Sequence, residues 1–137
     1  MHELIESTGL VIVGEDHSWG DRWYDRDFNL NYTPIRALVD RYMLRSFSSK
    51  KALVSQRVEA LNQGVTKTGA QAVIFYNNIY EDAASWDYPS QKASLEARGF
   101  STACFSKMVW PSAKNEHLRA DLAQFASRLK KGGLSLG

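Results

Sequence analysis

A single cysteine, Cys104, stands in a chain of 137 residues, and that scarcity removes several chemistries at once. An intramolecular disulfide is impossible, and so is any cysteine-rich zinc or iron–sulfur site built by this chain alone. Without a disulfide framework, the expected compartment is the reducing cytoplasm. Long apolar runs are missing too, so no segment approaches the length of a membrane span. The opening residues, 1–7, hold two acids and no apolar core, which is not the pattern of a signal peptide. Charge of one sign is scarce: the formal net charge is +2, with acids and bases interleaved, and nucleic acid is not an expected partner. No P-loop is present, and Gly9 and Gly14 do not make a dinucleotide fingerprint. Ser18 lacks the surroundings of a nucleophile elbow.

What is present reads as one globular domain, residues 1–137, with 44% hydrophobic and 23% charged residues. Leu10-Val11-Ile12-Val13-Gly14 is a short apolar run, expected as a strand buried on both faces. Ala72-Val73-Ile74-Phe75-Tyr76 is a second, and residues 100–105 a third that Ser101 and Thr102 interrupt. Helical spacing fills the gaps. Thr33 and Pro34 open a helix with Ile35, Leu38, Val39 and Tyr42 on its inner face. Residues 50–67 form the next, with Leu53, Val54, Val58, Leu61 and Val65 inward and Gly69 as its stop. Asp87 reads as the cap of a helix with Pro89 in its first turn, Leu95 inside and Gly99 at its end. Residues 115–129 complete the set, burying Leu118, Leu122, Phe125, Ala126 and Leu129. This alternation predicts an α/β fold, a Rossmann-like or flavodoxin-like parallel sheet with helices on both faces.

Ligands of such folds sit beyond the carboxyl ends of the strands. Residues 15–32, 77–86 and 106–114 occupy that edge and hold Trp19, Trp23, Trp86 and Trp110. The first of them runs Glu15-Asp16-His17-Ser18-Trp19-Gly20-Asp21-Arg22, which is either a polar active-site loop or a surface loop pinned by tryptophans. Asp16 is the candidate polar contact, and Arg22 suits a phosphate or carboxylate. A metal on His17 with Asp16 or Asp21 lacks a second histidine close in sequence, and none is expected. Asn77 and Asn78 follow the second strand with donors and acceptors, and Glu81 and Asp82 bring carboxylates. Trp86-Asp87-Tyr88-Pro89 reads as an aromatic plug, a cap and a first-turn proline.

Three pieces resemble the C-terminal part of subunits of the 2-hydroxyacyl-CoA dehydratase and benzoyl-CoA reductase family, which includes the 2-hydroxyglutaryl-CoA dehydratase D-component. They are the glycine, strand and acidic loop of residues 9–22; Trp86-Asp87-Tyr88-Pro89 with Gln91, Lys92, Leu95 and Gly99; and Leu118-Arg119-Ala120-Asp121-Leu122 with Phe125. The resemblance implies an acyl-CoA substrate handled by a lyase or an oxidoreductase through ketyl-radical chemistry. It also implies a 4Fe–4S cluster between two Rossmann-like domains and a partner subunit or domain. A cluster cysteine is implied in the loop 77–86, but that loop has none, and the position falls at or next to Glu81. This chain is therefore expected to hold no cofactor itself. Relative to the family the domain reads as incomplete, starting inside a helix and missing the strand before it.

The resemblance makes Asp16 and Glu81 the catalytic candidates and Trp19, Arg22, Asn77, Asn78 and Trp86 the substrate-binding ones. It favours the C-terminal domain of an acyl-CoA enzyme subunit, inactive alone. The alternative is a non-catalytic binding or assembly module that kept the fold and lost the cluster, and a hydrolase using Asp16 and His17 ranks third. Two further expectations follow: Trp19 and Trp86 are neighbours at one sheet edge, and the unpaired edge of residues 10–14 drives self-association, most simply a two-fold dimer.

Overall fold

A computed structural model describes residues 1–17, 27–44, 52–109 and 116–132. Its elements run α1 (His2–Glu6), α2 (Pro34–Val39) continued by a π-helical turn (Asp40–Leu44), α3 (Val54–Thr68), β1 (Ala72–Asn78), α4 (Asp82–Ala97), β2 (Ser101–Met108) and α5 (Glu116–Lys131). β1 and β2 pair in parallel, Ala72 opposite Ser101 and Tyr76 opposite Phe105, with α4 as the crossover between them. The result is a mixed α/β fold, an open two-stranded parallel sheet flanked by helices, as an incomplete Rossmann-like domain should look.

The same turn chemistry ends α3 and α4 and launches each strand. Gly69 and Gly99 sit at φ of 65° and 85°, a left-handed geometry that glycine adopts without steric penalty. Gly69 N–H donates to the Thr66 carbonyl and Ala70 N–H to that of Val65; Gly99 and Phe100 repeat this with Glu96 and Leu95. These paired bonds satisfy the last carbonyls of each helix and turn the chain straight into β1 or β2.

Strand alternation then sorts the side chains to two faces. Ile74, Tyr76 and Phe105 pack against the buried cluster of Leu4, Ile5, Leu118 and Leu122 from α1 and α5. Leu118, Leu122, Phe125, Ala126 and Leu129 are all buried, as their spacing predicts. On the other face Tyr88 of α4 stands edge-on to Phe75, with ring centroids 4.9 Å apart. Behind α4 lies α3, joined to it by the Arg57–Asp87 ion pair and by a 2.9 Å bond from Asn62 Nδ2 to Ser94 Oγ.

Several expectations need correction, among them the inward placing of Leu53 and Val54 at the start of α3, which are exposed. Residues 10–14 are not a strand: Leu10 and Ile12 pack on the core, but Val11 is 79% exposed and Val13 faces water as well. Among the described residues no strand pairs with this run, so its apolar sequence yields one half-buried side only. Helix α2 turns the opposite side inward. Ala37 and Arg41 are buried while Ile35, Leu38, Val39 and Tyr42 are exposed, and Arg41 lies over the rings of Phe28 and Tyr42. Helix α4 begins at Asp82, five residues before Asp87. Pro89 thus sits inside the helix, and Asp87 is a buried partner of Arg57 instead of a cap.

Candidate functional site

β1 carries the candidate site at its carboxyl end, where the ladder loses its regular register. Between Tyr76 and Asn78 the pairing slips, Asn78 standing opposite Met108, and Lys107 takes a left-handed φ of 57°. Such a bulge bends the strand and re-aims its neighbours. Ile79 N–H still reaches the Met108 carbonyl at 3.0 Å, so the two strand ends stay bound to each other.

Asn77 is buried there at 5% exposure, and its Nδ2 has no hydrogen-bond partner among the described residues. The Tyr76 hydroxyl, one residue earlier, is buried and unpartnered in the same way. Buried donors of this kind are rare, because each forfeits its bonds to water. Just beyond, Asn78, Ile79, Tyr80 and Glu81 make a tight turn, with Glu81 N–H donating to the Asn78 carbonyl at 3.0 Å. The Glu81 carboxylate folds back and accepts from the Asn78 backbone N–H at 2.9 Å and from its amide Nδ2 at 3.3 Å. Glu81 precedes the first turn of α4 and is exposed. The structure therefore joins Asn78 to Glu81, with Asn77 the buried residue just before them on β1.

The other candidates are more scattered. Asp16 is exposed, directly after Glu15. Trp86 is 81% exposed on α4 and is no plug. Trp19 and Arg22 lie outside the described residues, as does the expected proximity of Trp19 to Trp86. Histidines, by contrast, do meet, against the sequence expectation. His2 Nε2 lies 2.9 Å and His17 Nε2 3.1 Å from the same Glu15 Oε2. Sequence spacing hides this pairing, since α1 and Gly9 fold residue 2 back onto residues 15 and 17.

A model of the 2-hydroxyglutaryl-CoA dehydratase D-component family matches residues 1–129. The chain belongs to that family. Comparison with curated proteins and with solved structures gave no match.

The resemblance implies a 4Fe–4S cluster, which asks for several accessible thiolates. The donor set here does not fit one. Cys104 stands mid-strand opposite Phe75, far along β2 from the turn that holds Glu81. Burial pushes its thiol above the ordinary value, against a smaller downward pull from the Tyr88 hydrogen bond. Tyr88 is raised in turn, by burial first and then by the neighbouring Cys104. A half-buried thiol raised by burial and hydrogen-bonded to Tyr88 is a packing group. No helix among the described residues is long and apolar enough to cross a membrane.

Proposed function

We propose that this chain is the acyl-CoA-binding part of a dehydratase- or reductase-type subunit, inactive in isolation and holding no cluster of its own. The observation that carries the reading is the buried, unpartnered amide of Asn77 at the carboxyl end of β1, where α/β folds bind their ligands. An amide donor there suits the carbonyl oxygen of a thioester, and developing negative charge on that oxygen strengthens the bond. Asn78 holds the Glu81 carboxylate in place for proton transfer, with Asp16 as the second acid–base group. Arg22 takes a phosphate of the coenzyme, and Trp19 and Trp86 offer flat apolar surfaces to its adenine. Electron delivery belongs to a partner subunit or domain. The compartment is the cytoplasm, and the isolated chain self-associates as a two-fold dimer through the exposed Val11 and Val13.

Calorimetric titration with a 2-hydroxyacyl-CoA thioester tests the reading, with free CoA and the free acid as controls. Saturable binding of the thioester, lost in Asn77→Ala with an unchanged circular dichroism spectrum, is the expected result. Equal affinity in Asn77→Ala, or no binding by the native chain, overturns it. The second reading, an assembly module without substrate, draws on the loop 77–86 having no cysteine, where the resemblance implies one at or next to Glu81. It predicts no thioester binding at all.

A further inference from the structure

The three groups at the start of the chain make a donor set of a different kind. His2, Glu15 and His17 each offer one ligand atom, and these atoms all lie within 4.8 Å of one another. Two imidazole nitrogens converge on one carboxylate oxygen, at 2.9 and 3.1 Å. Around a tetrahedral zinc ion, bond lengths near 2.0–2.1 Å set the ligands about 3.3 Å apart, so a small shift of the three side chains admits the ion. The side chains have room for that shift, being 60%, 49% and 30% exposed for His2, His17 and Glu15. A cation can also enter without opening the core.

We propose that His2, Glu15 and His17 bind one divalent cation of the zinc type. Imidazole with a carboxylate selects this borderline class over magnesium or calcium, which prefer an all-oxygen shell. In the metal-free chain the geometry fits each ring donating an Nε2 proton to Glu15 Oε2. On binding, each ring presents an Nε2 lone pair to the ion in place of the N–H, and the carboxylate supplies negative charge. Three protein donors leave at least one position of a tetrahedral ion for a further ligand. The mechanical effect is a staple. α1 is one short turn and a half, and residues 10–14 pair with no described strand. The ion ties the start of the one to the end of the other, closing a loop that includes the core contacts of Leu4, Ile5, Leu10 and Ile12.

The test is titration of the full chain, prepared without a histidine tag, with Zn²⁺ and separately with Co²⁺ as a coloured probe. One ion per chain is expected, with a visible cobalt band and a higher melting temperature in zinc. His2→Gln, Glu15→Gln and His17→Gln should each weaken binding by at least about tenfold, since even partners outside the metal shell cost that much. All three positions are partly or largely exposed, so these variants keep the fold, which circular dichroism checks. Absence of saturable binding at one equivalent overturns the proposal. So does undiminished binding in the three variants, which would put the metal elsewhere, for instance at His117. Neither outcome bears on thioester binding at Asn77.

Discussion

Arg57 on α3 grips Asp87 on α4 with two nitrogens, Nε to Oδ2 at 2.6 Å and Nη2 to Oδ1, and both side chains are at most one-tenth exposed. The same guanidinium donates a further bond to the Ala52 carbonyl, tying the chain before α3 into the joint. A buried pair of this sort gains little over apolar packing, but half of it is far worse than none. Asp87→Ala should therefore lower stability by about 3–5 kcal/mol, because it takes the carboxylate away from a buried guanidinium. Arg57→Met with Asp87→Leu should recover most of that loss. Urea unfolding of the single and double variants measures both.

Alkaline pH provides a second check, through Cys104 and Tyr88. Their folded values lie above the ordinary 9.0 and 10.0, chiefly because burial disfavours the charged forms. A raised value means that the unfolded chain releases its proton first as pH climbs. Stability from Cys104 is thus fully present below about pH 9 and drains away as pH rises toward the folded value. Thermal unfolding across this range should show a falling melting temperature, shallower in Cys104→Ala. Alkylation of the thiol at neutral pH should be slow in the folded chain and fast in denaturant.

Gly69 and Gly99 allow a cleaner measurement. A Cβ at either would touch nothing within 4 Å, so replacement by alanine tests backbone geometry alone. Each change should cost about 1–2 kcal/mol, the penalty of the left-handed region for a residue with a side chain. The two sites stand at separate helix ends, and their costs should add in the double variant.

How far the sequence discloses this fold depends on which physical signal a segment carries. The runs at β1 and β2 announce themselves, because apolar residues follow a helix-stopping glycine and precede polar turns. α5 does too, through five buried positions at helical spacing. Residues 10–14 carry the same signal as β1, yet a strand needs a partner, and partners are long-range facts. Asp87 before Pro89 has the local look of a helix start, but the distant Arg57 holds it inside α4. At the site, the asparagines and Glu81 are visible from their place after an apolar run. The burial of Asn77 and the convergence of His2 on Glu15 are consequences of folding, and no local pattern encodes them.

Asn77 separates stability from function. Its amide nitrogen is buried without a partner among the described residues, so Asn77→Leu should raise stability by about 1 kcal/mol by removing an unsatisfied donor. The same change should abolish thioester binding. Denaturant unfolding and ligand titration on one sample check the two halves together.

The β1–α4–β2 crossover has a consequence for how the chain opens. Its two strands find each other across one helix, a short loop closure by the standards of parallel sheets. The remaining pieces join it by side-chain packing, without backbone ladders to it among the described residues. Motions of the native state should therefore be graded, the terminal segments detaching while the crossover stays whole. Amide exchange should find the slowest protons at Ile74, Phe75 and Cys104, and much faster ones along residues 10–14. The chain then behaves as one rigid hinge-like kernel with loosely held flanks, and the flanks carry the histidines that a cation would fasten.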